Sequence, residues 1–364
     1  MFCQVKLLDS NTLYLYNLIM GIYYDGTKLL SLKDRNGAKP EIYLCTSNRT
    51  AGKTTYFSRL LVNRFISSEE KFMILYRFTY ELKDSAEKFF SLVQNLFFPE
   101  YVMTAEKRDS GHYYELFLNG TSCGYAAALN AADALKKVSN VFSSVKRMMF
   151  DEFQSETNVY CPDEVKKFQS VHTTVARGEG EQVRYVPVYM VSNPITLLNP
   201  YYVALGISTT LNSATKFLKG DGFVLEQGHN EAAEEAQRAS AFNRAFGASR
   251  YTDYAASGIY LNDNMAFVER PSGRSRYIAT LRFKGIDFGI RSFAESGIVY
   301  ADKKPDASFP IRIAVTTEDH QINYVMLKQF EDMIFQLRFY FERGAFRFRD
   351  LQSKEAVMTA LSYI

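Results

Sequence analysis

From Ile42 to Asn193 short apolar runs alternate with stretches of helical period, the pattern of an α/β domain with a mostly parallel sheet. Ile42–Cys45 (IYLC) predicts a strand. Thr54–Ile66 predicts a helix, because Phe57, Leu60, Leu61 and Phe65 share one face. Phe72–Tyr76 (FMILY) predicts a second buried strand, and Lys83–Phe97 a helix that stops before Pro99. Two strand-like runs then flank Asn119-Gly120, a type I′ hairpin signal because both residues tolerate positive φ. Arg147–Phe153 (RMMFDEF) reads as a strand ending in acids, Asp163–Ala176 as a helix, and Val186–Pro194 as a strand ending in a polar turn.

The pattern changes after Gly206. Asn230–Gly247 is a helix former of mixed charge with Gly- and Ser-rich flanks, so 206–257 is expected to be a small helical lid and linker. Ser275–Asp302 alternates with period two and carries glycines at turn spacing, which predicts a three-stranded meander. A long helix over Gln321–Arg343 and a last one from Ser353 complete an α+β C-terminal domain. The expected division is 1–205, 206–257 and 258–364.

At 364 residues, with 47% hydrophobic and 23% charged positions, the chain can bury at least one large core and is not of disordered composition. A net charge of +3 announces no nucleic-acid partner, so any basic surface must be local. Cys3, Cys45, Cys123 and Cys161 lack metal-ligand spacing, and reduced thiols are expected. No leader pattern or membrane-length apolar run is present in the sequence. A soluble intracellular protein with no membrane partner is therefore expected.

Chemistry enters at Ser47–Thr54 (SNRTAGKT), between the first strand and the first helix. Gly52-Lys53-Thr54 ends a phosphate-binding loop in the context such a loop requires. Backbone amides and the helix start would cradle phosphates, Lys53 would contact their oxygens, and the Thr54 hydroxyl would hold Mg²⁺. Ser47 stands where the pattern wants glycine, which is acceptable if that residue avoids positive φ. Such a site also needs a strand ending in an acid. Asp151 would act on the metal shell, and Glu152 would polarise the attacking water as general base. Both would lie at the carboxyl edge of one sheet, where open α/β folds bind ligands. Ser192-Asn193 is a third polar strand end that fits a phosphate or water sensor.

The order of motifs resembles the genome-packaging ATPases of tailed bacteriophages, terminase large-subunit-like motors, and most specifically those of the small phi-29-like phages. The residues that carry the resemblance are SNRTAGKT, LNGTSCGYAAAL (Leu118–Leu129), FDEF (Phe150–Phe153) and YCPDEV (Tyr160–Val165). VARGEG (Val175–Gly180) and VSNPITLLNPYY (Val191–Tyr202) complete the set. The resemblance implies a P-loop NTPase sheet of ASCE type with helices on both faces, and a small RNase H-like, vestigial nuclease domain at the C-terminus. It implies that Ser47, Asn48, Arg49, Thr50, Ala51, Gly52, Lys53, Thr54 and Asp151 bind ATP, with Thr54 and Asp151 at Mg²⁺. It makes Glu152 the catalytic glutamate, Asn193 part of the coupling motif, and Arg177 an arginine finger that completes a neighbouring subunit's site. Arg77, Lys136 and Lys137 would face DNA.

The implied function is ATP-driven translocation of double-stranded DNA by a homo-oligomeric ring, a pentamer by resemblance, docked on the portal of a phage procapsid in the host cytoplasm. A structural RNA is a further candidate partner. Asp287, Asp302, Asp306, Glu318 and Asp319 are scattered rather than clustered, so nuclease activity is not expected. Two alternatives stand beside this reading: a helicase-like ring ATPase, and a nucleotide-binding structural subunit that does not hydrolyse.

Overall fold

The computed structural model describes residues 23–157, 159–178, 180–197, 199–207, 211, 215–246, 250–258, 260–261 and 267–362. The chain forms two compact units. The first has segments ending at Gln154 and spanning Lys166–Pro194 and Ser213–Ile259; the second comprises Ser155–Val165, Ile195–Asn212 and Tyr260–Ile364.

In the first unit, nine described strands form one sheet. They are β1 (Ile42–Thr46), β2 (Lys71–Tyr76), β3 (Met103–Arg108), β4 (Tyr113–Leu118), β5 (Thr121–Ala128), β6 (Val145–Asp151), β7 (Val188–Ser192), β8 (Phe217–Lys219) and β9 (Phe223–Gln227). Their order is β3-β4-β5-β2-β6-β7-β1-β9-β8. The central strands from β5 to β9 pair in parallel, and antiparallel hairpins close both edges. β7 thus separates the strand before the loop from the acidic strand, the order that the resemblance to an ASCE-type sheet implies.

Central strands buried on both faces explain the unbroken apolar runs. One face, with Tyr43, Cys45, Ile74, Met149 and Val191, packs with Phe57, Leu61, Val62 and Phe65 of α1 (Lys53–Ser68). Leu82, Ala86 and Val93 of α2 (Thr79–Phe97) join the same core. Each Leu, Ile, Val, Phe or Met side chain so buried contributes about 1.5–3 kcal/mol by leaving water. On the other face Phe150 stacks on Phe168 of α3 (Glu164–Ala176), with ring centroids 6.0 Å apart. The β4–β5 hairpin turns at Asn119 (φ 48°) and Gly120 (φ 77°), as the sequence predicts.

Two expectations need correction. The 206–257 stretch is not helical throughout: β9 pairs with β1 and carries β8 at the sheet edge. Its helices α4 (Glu231–Ala239) and α5 (Arg250–Ser257) follow that hairpin within the same unit. FVLEQ is short, and its apolar character is diluted by flanking glycines, so only pairing with β1 declares it a strand. The helix expected over 321–343 begins only at Glu331, as α6 (Glu331–Glu342).

Among the described residues the second unit holds a six-stranded sheet, including the expected meander: β10 (Arg276–Phe283), β11 (Ile286–Phe293) and β12 (Ile298–Asp302). β13 (Arg312–Ala314), β14 (Val325–Met326) and β15 (Phe346–Phe348) extend it. Pairing with β13 claims Val325 and Met326 for a strand, which is why α6 starts late. Leu281, Ile290, Ile313 and Phe348 pack with Ile334 of α6 and with Ala356, Val357 and Leu361 of α7 (Leu351–Ser362). The RGAFRFR stretch supplies edge strand β15. No described helix is long and apolar enough to cross a membrane.

Candidate active site

Parallel registration brings three polar strand ends to one edge. Thr46 of β1 lies opposite Ser192 of β7, and Asp151 of β6 lies opposite Val191. The loop after β1, the acids after β6 and Asn193 after β7 therefore converge, although Asp151 lies 97 residues from Thr54 in sequence.

Within the loop Thr50 (φ 61°) and Gly52 (φ 93°) adopt left-handed conformations, whereas Ser47 does not. A side chain at Ser47 therefore costs no backbone strain, and the departure from glycine is harmless to the loop path. A side chain at Gly52 is disfavoured on two counts. Its φ disfavours a Cβ, and a Cβ would lie 2.7 Å from Tyr23 Cδ1.

Lys53 is buried, and its Nζ donates to the Ser47 carbonyl (3.1 Å), the Asn48 carbonyl (3.3 Å) and Asn193 Oδ1 (3.1 Å). Burial lowers its pKa, opposed by Cys45 and by the Asp151 and Glu152 carboxylates. Thr54 Oγ1 donates to Asp151 Oδ1 at 3.0 Å. Desolvation, reinforced by Glu152, pushes the Asp151 carboxyl up to about 6, against the Thr54 hydrogen bond and Lys53. A poorly solvated carboxylate beside a hydroxyl is a hard-oxygen donor set that suits Mg²⁺. Thr54 and Asp151 are the residues that would hold it.

Glu152 follows at φ 53°, is exposed, and donates its N–H to Asp151 Oδ1 at 3.1 Å. The left-handed turn ends β6 and separates the two acids: Asp151 stays on the strand while Glu152 stands clear of it. Arg77, at the end of neighbouring β2, supports this turn. Its Nη2 donates to the carbonyls of Glu152 (3.1 Å) and Phe153 (2.8 Å), and its guanidinium carbon lies 5.7 Å from the Phe150 ring centroid. Arg77 is 5% exposed. The expectation that Arg77 faces DNA is therefore corrected, because its guanidinium is enclosed among backbone acceptors instead of lying on a basic surface.

The other predicted residues separate clearly. Ala51 is buried, and its carbonyl accepts from the Tyr24 N–H at 2.6 Å. Arg49 lies over the rings of Tyr251 and Tyr254, with centroid distances of 5.6 and 5.8 Å. Arg177 is exposed just beyond α3, where its Nε donates to the Thr173 carbonyl at 3.4 Å. Lys136 and Lys137 are exposed at the end of the short helix Ala132–Lys137, and Lys136 pairs with Asp133 at 3.0 Å.

The acids of the second unit have partners of their own. Asp287 takes Arg282 (2.9 Å) and the Tyr324 hydroxyl (2.6 Å), and Asp302 takes Arg291 (2.5 Å). Asp319 accepts from the Lys284 and Gly285 amides, and Asp306 from Ser308. Among the described residues no group of three or more His, Cys, Asp or Glu is placed to hold a metal ion.

Sequence reasoning missed Arg77's role and the partners of Asn48. An arginine ending an apolar run one strand from an acid was the available signal for the first. No local signal existed for the second, since the partners of Asn48 lie 182 and 208 residues away.

Known proteins share the sequence and fold of this chain. The chain is 24% identical over 286 residues to the DNA packaging protein of Bacillus phage phi29, covering 78% of this chain and 81% of that protein. The counterpart from Bacillus phage B103 is also 24% identical, over 78% of this chain and 84% of its own length. The fold matches a chain of the bacteriophage Phi-29 viral genome packaging motor assembly with TM-score 0.55 and 21% identity, covering 91% of this chain and 95% of that one. A chain of the Phi-28 gp11 DNA packaging motor matches with TM-score 0.56 and 15% identity, covering 94% and 98%. The model of the podovirus DNA encapsidation protein (Gp16) family matches residues 19–361. With its phosphate loop, acidic strand and sheet order accounted for, the chain belongs to the podovirus DNA encapsidation protein (Gp16) family.

Proposed function

We propose that this phage DNA-packaging ATPase hydrolyses ATP between Lys53, Thr54, Asp151 and Glu152 and uses the energy to drive double-stranded DNA into a procapsid. The observation that carries the reading is the 3.0 Å contact between Thr54 and Asp151 beside buried Lys53. A scaffold subunit needs no such convergence.

The loop amides and Lys53 bind the triphosphate oxygens, and Lys53 neutralises charge that develops on the transferring phosphoryl group. To do so its ammonium exchanges acceptors on Ser47, Asn48 and Asn193 for phosphate. Mg²⁺, when bound, neutralises phosphate oxygens and would be held by Thr54 and Asp151. Glu152 takes the proton of the attacking water. Asn193, bonded to Lys53, is placed to register the change when that ammonium moves.

Arg177 acts in trans on a neighbouring subunit, which its exposure supports, and makes firing depend on a homo-oligomeric ring, here taken as a pentamer. Exposed Lys136 and Lys137 contact the duplex backbone, which a translocating motor must grip without sequence preference. The ring docks on the phage portal in the host cytoplasm, with a structural RNA as a further candidate partner. The second unit serves docking rather than cleavage, a reading supported by acids neutralised one by one by arginines and amides. Its RNase H-like ancestry belongs to the same proposal.

ATP turnover with and without duplex DNA tests the reading. Lys53→Ala, Glu152→Gln and Arg177→Ala should each lose turnover, while Glu152→Gln still binds ATP. Mixing Arg177→Ala with Glu152→Gln subunits should restore part of the activity. Wild-type turnover at the level of Glu152→Gln would refute hydrolysis, and strand separation in place of duplex movement would favour a helicase.

A further inference from the structure

Four hydrogen bonds join two loop residues to the far ends of the segment 230–258. Asn48 is 0% exposed. Its Nδ2 donates to the carbonyls of Asn230 (3.0 Å) and Ala256 (3.0 Å), and its Oδ1 accepts from the Asn230 N–H (2.9 Å). The Arg49 N–H donates to the Ala255 carbonyl at 3.1 Å. Asn230 is also the N-cap of α4, its side chain accepting from Ala233 N at 2.8 Å, while Ala255 and Ala256 belong to the last turn of α5. One amide side chain thus fastens the start of one helix and the end of another.

The same helices return to the loop further along. Gln237 of α4 donates from Nε2 to Thr50 Oγ1 at 3.3 Å, at the loop residue held at φ 61°. Arg49 lies against the α5 rings of Tyr251 and Tyr254 and donates to the Tyr251 hydroxyl. The fit is close. A Cβ on Gly258, which has φ 68°, would lie 3.4 Å from Asn48 N.

We infer that Asn48 is a positioning residue that makes helices α4 and α5 one mechanical body with the phosphate loop, so that a change of loop state moves both helices together. The inference rests on the ATPase reading. The chemistry favours coupling over simple packing, because directional bonds to backbone groups of two helices fix orientation, which apolar contact does not. Asn48 presents its side chain to the helices, which leaves the amides further along the loop for phosphate. A loop that rearranges around nucleotide must carry the Asn48 bonds with it or break them, and their burial makes breaking costly.

Hydrogen–deuterium exchange on the full chain, with and without the non-hydrolysed analogue AMP-PNP and Mg²⁺, tests this directly. In the wild type, nucleotide should change amide exchange both in 47–54 and in 231–257. In Asn48→Ala the loop should still respond while the helices cease to, with kcat reduced at least about tenfold and KM changed less than about threefold. If Asn48→Ala does not fold, the smaller polar variant Asn48→Ser, whose hydroxyl cannot span both helices, is read in its place with the same outcomes. A loop response without a helix response overturns the inference and leaves the ATPase reading standing. Helix response retained in Asn48→Ala also overturns it. No response in the wild-type loop refutes the ATPase reading, and the inference with it.

Discussion

Replacing Arg77 by alanine separates two roles that one arginine cannot share. In the structure its guanidinium donates to the Glu152 and Phe153 carbonyls and lies over Phe150, at 5% exposure. Hydrogen bonds from a charged donor contribute about 1.5–3 kcal/mol each, and a buried acceptor left bare costs about 1–3 kcal/mol. Phe153 is wholly buried, so its carbonyl cannot be rehydrated cheaply, whereas exposed Glu152 can recruit water. The expected loss is therefore about 2–4 kcal/mol, which for a domain of this size lowers Tm by roughly 5–15 °C. Glu152 would also lose support for its left-handed turn. If that raises the barrier by about 1.4 kcal/mol, turnover without DNA falls tenfold. The assays are a thermal melt and steady-state hydrolysis, both in the absence of DNA. Arg77→Lys should recover little, because a single ammonium on a shorter stem cannot reproduce the fork. An Arg77→Ala protein with unchanged Tm and unchanged DNA-free turnover, but with the salt slope of DNA binding reduced by about one, would refute this account and return Arg77 to the DNA surface.

Thr54→Val should raise the Mg²⁺ concentration needed for half-maximal turnover by about tenfold or more, whereas Thr54→Ser keeps the oxygen and stays near wild type; a Mg²⁺ titration separates them. The Asp151 carboxyl, raised to about 6, must ionise before it meets a cation. Mg²⁺-dependent nucleotide affinity should accordingly be level above about pH 7 and fall as pH drops below 6, as calorimetry across pH 5.5–7.5 would read. For the metal-free fold the sign is opposite. A raised carboxyl pKa gives stability that is full below about pH 4 and lost as pH rises through 6. Breaking the buried Arg291–Asp302 pair with Asp302→Ala should destabilise the second unit by about 3–5 kcal/mol in denaturant melts. Neither Asp302→Ala nor the wild type should nick supercoiled DNA with Mg²⁺ or Mn²⁺.

The chain by itself determined the kind of fold and pointed to the chemistry proposed for the site. Buried parallel strands demand unbroken apolar runs, and a phosphate loop demands glycine and lysine between a strand and a helix. IYLC, FMILY, MMFDEF and SNRTAGKT therefore declare themselves within a few residues. Asn119-Gly120 does so for the same local reason, since two positive φ values select few residues. Pairing was decided elsewhere. FVLEQ becomes β9 only because β1 offers it an edge, and Val325-Met326 becomes a strand only beside β13. Arg77 and Asn48 show the limit most plainly. A polar residue at the end of a run carries no mark of whether water, DNA or buried carbonyls will surround it. Its partners lie 75 to 208 residues away, and only the packed sheet brings them within 3 Å or so. Local stereochemistry is written in neighbours along the chain; the environment of a charge is a property of the whole tertiary structure.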